Sequence, residues 1–196
     1  GYSDLEDTRL NDQARTLDSI LHHDTLFTPG DKVLEIGCGV GAQTTKLCRN
    51  NTDIKLTSVD ISAESLRLAS ERCSLLGFKQ VSFLKADVYN LPFHPDSFDH
   101  VFICFVLEHL PDPGLALRQV KKVLRPGGRI MVIEGDHGSA FYTPQSRFAQ
   151  KTIDCLVKLQ VASGGDPLIG RRLHPLLKDN GFGHILVTPR MVYADE

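Results

Sequence analysis

The chain has no apolar run long enough to cross a membrane. Its longest mid-chain stretch without a polar residue is Val101 to Leu107. That is far short of the roughly 18 residues a spanning helix needs, so it reads as a buried strand. An excess of charge of either sign is also missing: 22 basic residues face 24 acidic ones, for a formal net charge of −2. That balance, with no aromatic-basic platform, argues against a nucleic-acid or membrane surface as the main partner. Paired cysteines are lacking too. Cys38, Cys48, Cys73, Cys104 and Cys155 are odd in number, scattered and without a CxxC spacing. This speaks against a zinc site or a disulfide framework and for reduced thiols in a cytoplasmic protein. His22-His23-Asp24 resembles a metal cluster only superficially, because adjacent residues on a helix point to different sides. The N-terminus carries neither the blocks of a signal peptide nor an initiator Met, so a processed or trimmed piece is expected.

What is present is a regular alternation of apolar strands and amphipathic helices. Leu10, Ala14, Leu17 and Leu21 fall at helical spacing and predict a helix before the first strand. Strands are expected at Lys32 to Ile36, Lys55 to Val59, Val81 to Leu84, Phe98 to Phe105 and Arg129 to Ile133. Between them, Ser62 suits an N-cap, with Leu66, Ala69, Cys73 and Leu76 on one face and Gly77 as the stop. Asp112-Pro113 opens another helix, whose Leu117, Val120 and Leu124 face inward and which Pro126-Gly127-Gly128 ends. Two further helices follow near Pro144 to Val161 and Leu168 to Asn180, and Ile185 to Val192 reads as a last strand. This order predicts an α/β fold, a Rossmann-like three-layer sandwich with a mostly parallel sheet. At 196 residues the chain suits a single domain.

The chemistry concentrates where the first strand runs into Glu35-Ile36-Gly37-Cys38-Gly39-Val40-Gly41. In an open parallel sheet, ligands bind beyond the carboxyl ends of the strands, and glycines there let the backbone approach them closely. Gly37-x-Gly39-x-x-Ala42, with Asp60 about 20 residues on, fits any adenosine cofactor, dinucleotides included. Asp60 ends the second strand, where its carboxylate can accept from both ribose hydroxyls. Glu35 tips the balance. An acidic group there is unfavourable beside a pyrophosphate but useful near the ammonium of a methionine moiety, which favours S-adenosylmethionine.

Here the sequence resembles the class I S-adenosylmethionine-dependent methyltransferases, and among them the ubiquinone/menaquinone-type subgroup. The likeness covers residues 31–136. It rests on Val33 to Gly41, Val59-Asp60-Ile61-Ser62, Ala86-Asp87, Leu91 to Asp99, Leu107-Glu108-His109-Leu110 and Leu124-Arg125-Pro126-Gly127-Gly128, in the family's order. The resemblance implies that Gly37, Cys38, Gly39 and Gly41 line the cofactor and that Glu35 anchors its methionine end directly or through water. It implies that Ile61 packs on the adenine, that Asp87 accepts from the adenine amino group, and that Val88 offers a neighbouring amide. Cys104 and His109 would lie near the methionine part. Asp87 can instead cap a turn, Cys104 is more readily a small core residue whose backbone alone touches the ligand, and Asp99 is expected to stay away from the cofactor. In domain terms this means an N-terminal helical segment over 1–30, a cofactor-binding core over 31–136, and C-terminal helices and strand over 137–196. Class I relatives end in two antiparallel strands, so the last strand is expected to be missing from this chain and its C-terminal part truncated.

The sulfonium is already an activated electrophile, so such a protein must chiefly align the acceptor and exclude water. Candidate groups for orienting or deprotonating the acceptor come from the loops after strands four and five. They are Glu108 and His109 after strand four, and His137, helped by Glu134 or Asp136, after strand five, with Tyr142 nearby. Arg171 or Arg172 would suit an anionic substrate, or simply a solvated helix face. The expected partner is a small-molecule acceptor, with S-adenosyl-L-homocysteine as the second product and no metal. A homodimer is compatible with the sequence. Two other readings stay open at this point: an NAD(P)-dependent oxidoreductase, and a non-catalytic S-adenosylmethionine-binding module.

Overall fold

The computed structural model describes residues 18–192 of the chain. Five strands form one sheet: β1 (Lys32–Ile36), β2 (Lys55–Asp60), β3 (Val81–Lys85), β4 (Phe98–Cys104) and β5 (Leu124–Ile133). Among the described residues they are accompanied by α1 (Asp18–Leu21), α2 (Ala42–Asn50), α3 (Ala63–Leu75), α4 (Pro113–Val123), α5 (Arg147–Ala162) and α6 (Leu173–Asp179). Short 3-10 turns cover Leu107–His109 and Ile169–Arg172. The strands lie in the order β3-β2-β1-β4-β5, and every neighbouring pair is parallel. The chain therefore starts in the middle, works outward through β2 and β3, and crosses back to β4. The cleft between β1 and β4 is where the direction of winding reverses.

Strand periodicity sorts the core onto two faces. Val33, Leu56, Phe102 and Cys104 pack with Leu21 of α1 and Leu47 and Cys48 of α2. Leu34, Ile36, Val101 and Ile103 point the other way, onto Ala116, Leu117, Val120 and Val123 of α4 and Leu173 and Leu177 of α6. Helix α3 packs on β2, β3 and α2. The result is the expected α/β three-layer arrangement, and each fully buried Leu, Ile, Val or Phe stabilises it by roughly 1.5–3 kcal/mol.

Local signals set the helix ends. The Ser62 hydroxyl accepts from the Ser65 amide at 3.2 Å. The Asp112 carboxylate accepts from the Leu115 amide at 2.8 Å, with Pro113 in the first turn. Leu66, Ala69 and Cys73 are buried as their spacing requires, whereas Leu76 lies past the end of α3 and is 50% exposed. Leu10, Ala14 and Leu17 lie outside the described residues, while Leu21 ends α1 and is buried.

Several boundaries differ from the sequence reading. Helix α4 stops at Val123, and Pro126-Gly127-Gly128 lies within β5, where the register shifts between the pairs Phe98–Leu124 and His100–Arg129. Proline has no amide hydrogen to give a ladder, and β5 is an edge strand, so a bulge accommodates it. Residues expected in one helix from Leu168 divide into the turn Ile169–Arg172 and α6. The expected strand Ile185 to Val192 does not form; residues 185–192 have no regular structure. A groove of about 990 Å³ lies between β5 and the segment through Phe182, Ile185 and Arg190. Arg190 draws that segment towards α1, donating to the Ile20 and Leu21 carbonyls at 3.1 and 2.6 Å and to the Asp24 carboxylate. Leu186 and Met191 stay exposed, so the alternation there has no layer to bury against.

Candidate functional site

The glycine loop is tied down from the neighbouring strand. The amides of Gly37 and Cys38 donate to the Val59 carbonyl at 2.8 and 3.0 Å. The Asp60 carboxylate then closes the loop, taking the Gly39 amide on Oδ2 and the Ser62 amide on Oδ1, each at 2.8 Å. Gly37 has φ 67, and a Cβ there would stand 2.5 Å from Val106 Cγ2. Left-handed backbone and close approach thus both demand glycine at that position. A Cβ on Gly39, by contrast, would meet open space. That is the face the loop leaves for a ligand.

Beneath the loop lies Glu35, only 2% exposed. Its Oε2 accepts from the hydroxyls of Thr44 on α2 and Ser58 on β2, at 2.7 and 2.6 Å. Burial pushes its carboxyl up to about 7, the two hydroxyls oppose this, and the charge of Asp60 adds to it. Glu35 is therefore buried beneath the loop and tied to α2 and β2. Cys38 and Cys104 are buried beside it, and burial pushes both thiols well up, so neither is a thiolate near neutral pH.

The other strand ends converge on the same side. Ile61, after β2, is 67% exposed. Asp87, after β3, accepts from the Tyr89 amide on Oδ1 at 2.9 Å and bridges Asn90, so it does cap a turn; Val88 beside it is buried in the core. Asp99 lies at the opposite end of the sheet, near the start of β4, where it accepts from the Lys32 amide and pairs with Arg125. His22 is buried, bonded to Thr25 and Gln43, and no group of metal-ligating side chains occurs among the described residues.

The ends of β4 and β5 change the roles read from sequence. The chain leaves β4 through Phe105, which has a left-handed φ of 55. The turn swings the amides of Val106, Leu107 and Glu108 onto the carboxylate of Glu134, at 3.1, 2.8 and 3.3 Å. Burial pushes Glu134 up to about 7, against those three hydrogen bonds. Its acceptor capacity holds the turn together, so it is not the helper of His137. Asp136 is not hydrogen-bonded to His137 either: Arg171 grips it at 2.8 and 2.9 Å and Ser139 donates to it, and these partners outweigh desolvation to keep its carboxyl low. Arg172 pairs with Asp166. Both arginines are thus committed to carboxylates of the chain. The Tyr142 hydroxyl is bonded to the Ser146 carbonyl and to Gln150.

The partner of His137 is Glu108, a pairing the sequence reading missed. Nε2 of His137 stands 3.3 Å from Glu108 Oε2, and the Glu108 side chain is only 7% exposed. Gln160 of α5 reaches the same oxygen at 3.3 Å, and His109 Nε2 stands 3.5 Å from Oε1. Burial alone would raise Glu108, but the bonds from His137 and Gln160 and the charges of both histidines hold it below the usual carboxylate range. Glu108 in turn raises His137 above 6.5, with burial opposing and Asp136 assisting. A signal existed: Glu108 and His137 follow adjacent parallel strands, so both emerge at the same end of the sheet.

Comparisons with known proteins agree with this geometry. A family described as methyltransferase domain matches residues 27–181. The chain is 34% identical over 131 residues to the 27-O-demethylrifamycin SV methyltransferase of Amycolatopsis mediterranei, covering 66% of this chain and 48% of that protein. It is 34% identical over 128 residues to the ubiquinone/menaquinone biosynthesis C-methyltransferase of Teredinibacter turnerae, covering 64% and 49%. The chain thus spans about half the length of these curated relatives. Among solved structures, a SAM-dependent methyltransferase from Aquifex aeolicus shares the fold with a TM-score of 0.66 at 18% identity, covering 89% of this chain and 87% of that one. A Haemonchus contortus N-methyltransferase, solved with phosphomonomethylethanolamine and S-adenosylhomocysteine, gives 0.65 at 22%, covering 87% and 37%. The oxidoreductase alternative finds no support in these matches. With the glycine loop, the aspartate that closes it and the parallel sheet all in the family's order, the chain belongs to the S-adenosylmethionine-dependent methyltransferases.

Proposed function

We propose that this chain binds S-adenosyl-L-methionine on the open face of the Gly37–Gly41 loop and passes its methyl group to a small-molecule acceptor. The observation that carries this is the Asp60 clamp. Each carboxylate oxygen spends one lone pair on a backbone amide, on Gly39 or Ser62, which leaves one on each for a ribose hydroxyl. Gly39 offers an open backbone face, Gly37 and Gly41 shape the turn, and Cys38 fills the space behind it. Ile61 packs on the adenine, the free Oδ2 of Asp87 accepts from its amino group, and Val88 supplies a backbone amide. Glu35, below the loop, adds negative potential towards the ammonium of the methionine end, and Cys104 and His109 border that end.

The bound sulfonium supplies an activated methyl electrophile, so the chain's own task is to orient the acceptor and keep water out. The acceptor then sits over the ends of β4 and β5, beside His109 and His137, with Glu134 bracing the turn that carries Glu108. Five free cysteines and a near-neutral charge support a reducing, cytoplasmic setting and a small acceptor in preference to nucleic acid. No helix among the described residues is long and apolar enough to cross a membrane.

Calorimetric titration with S-adenosylmethionine and with NAD tests the reading. Saturable binding of S-adenosylmethionine alone is expected, weakened about tenfold or more (about 1.4 kcal/mol) in Asp60→Ala. Binding of NAD instead, or equal affinity in the variant, would refute it.

A further inference from the structure

We infer that the acceptor is a hydroxyl compound, an alcohol or a phenol, and that Glu108 and His137 act on it as a dyad. In this dyad His137 takes the hydroxyl proton and Glu108 is the positioning residue that holds its ring. The inference rests on the methyltransferase reading above and names the substrate class for that site.

The geometry is one-sided in an informative way. Glu108 is buried and fixed from three elements: its own 3-10 turn, the loop after β5 through His137, and α5 through Gln160. It presents one oxygen to Nε2 of His137. When the neutral ring gives its Nε2–H to that carboxylate, the lone pair lies on Nδ1. The His137 side chain keeps 36% of its surface exposed, so the ring is partly open to a ligand. A partly exposed imidazole backed by a buried carboxylate is an arrangement for taking up a proton.

The remaining groups around the site narrow the acceptor. Glu134 accepts three amides, and Cys104 is held as a neutral thiol. Arg171 and Arg172 are already paired with Asp136 and Asp166 of the chain. An ammonium can lose its proton to bulk water before it binds, after which the amine offers its own lone pair, and a thiol with a pKa of about 8.5 ionises readily by itself. A hydroxyl gains more from a base than either of these, because the nucleophilic atom itself carries a proton that must leave as the new bond forms. In the step, the hydroxyl oxygen bonds to the methyl carbon and the carbon–sulfur pair stays on sulfur, which becomes a neutral thioether. The hydroxyl proton goes to Nδ1. The positive charge lost from sulfur thereby reappears on the imidazolium, facing Glu108.

The groups that set the titration of His137 are Glu108 on the 3-10 turn and Asp136 on its own loop. Behind these stand Arg171 against Asp136, and His109 and Glu134 near Glu108. Gln160 of α5 is neutral. Glu108 is the principal influence, so replacing it with Gln must lower the pH at which His137 loses its proton.

The test is release of S-adenosylhomocysteine between pH 5 and 9 with a panel of alcohols and phenols and their matched amines and thiols. It is run on the wild type, His137→Ala and Glu108→Gln, with thermal melting to confirm that each variant is folded. Hydroxyl compounds alone should turn over. His137→Ala should lower kcat by about 100-fold or more, in the range for loss of a general base. Glu108→Gln should shift the acid limb of the kcat/KM profile to lower pH, an effect that a merely structural role would not produce. Faster turnover of amines or thiols, a folded His137→Ala within threefold of wild type, or an unmoved acid limb would overturn the inference. So would a wild type that binds S-adenosylmethionine by calorimetry yet methylates no hydroxyl in the panel. Failure to bind S-adenosylmethionine at all would instead sink the methyltransferase reading itself.

Discussion

Glu35 shows how a single buried side chain can shape both a site and the pH response of the whole protein. Its carboxyl stands at about 7 when folded against an ordinary 4.5, because burial outweighs the hydroxyls of Thr44 and Ser58. The folded state therefore holds a proton that the unfolded state has lost between those two values. By linkage, stability falls as pH rises through that window, on the order of 3 kcal/mol for one such group. Glu134 acts in the same direction, as does His137 once its own raised range is passed. Glu108, held low, contributes stability that is lost only when pH falls through its range. Glu35→Gln should accordingly lose less stability between pH 5 and pH 8 than the wild type, measured by urea unfolding at both values. An unchanged difference would show that Glu35 is not the titrating group. At this scale the loop glycines, Glu35 and Asp60 were legible, since their spacing alone marks the end of a strand and a tight turn. The occupation of Glu134 by three amides was not legible, because it depends on where Phe105 turns the chain.

Elements follow local rules closely, and the departures have local causes. Ser62 and Asp112 cap α3 and α4 as their positions before apolar-periodic runs suggest. Asp112→Ala should cost about 1 kcal/mol of stability, read by urea unfolding, because the Leu115 amide loses its partner at the exposed start of α4. A change within error would mean that water replaces the cap at no cost. The segment Ile185 to Val192 alternates like a strand yet forms none, since Arg190 is anchored to the end of α1 and the far face of the segment meets solvent. Pro126 lies inside β5 without breaking it because an edge strand tolerates a missing donor. Patterns of period two mark what can become a strand; whether it does depends on finding a neighbour.

In the whole molecule, stability comes from the sheet being covered on both faces. Leu117 is fully buried between α4 and the sheet, so Leu117→Ala should cost 2–5 kcal/mol by transfer and cavity terms together, visible as a lower melting temperature. A loss below about 1 kcal/mol would mean that the layer collapses around the gap, contrary to a close-packed core. By itself the sequence determined the alternation of strands and helices, the caps, the glycine loop and the aspartate that follows it. Hydrophobic period, capping chemistry and glycine's freedom all act within a few residues along the chain. Tertiary structure alone decided that Glu108 pairs with His137, that Glu134 braces a turn, and that Arg171 and Arg190 are committed to Asp136 and Asp24. Each of those partnerships joins residues from elements far apart in sequence, and its strength comes from burial and direction that exist only once the sheet has brought those ends together.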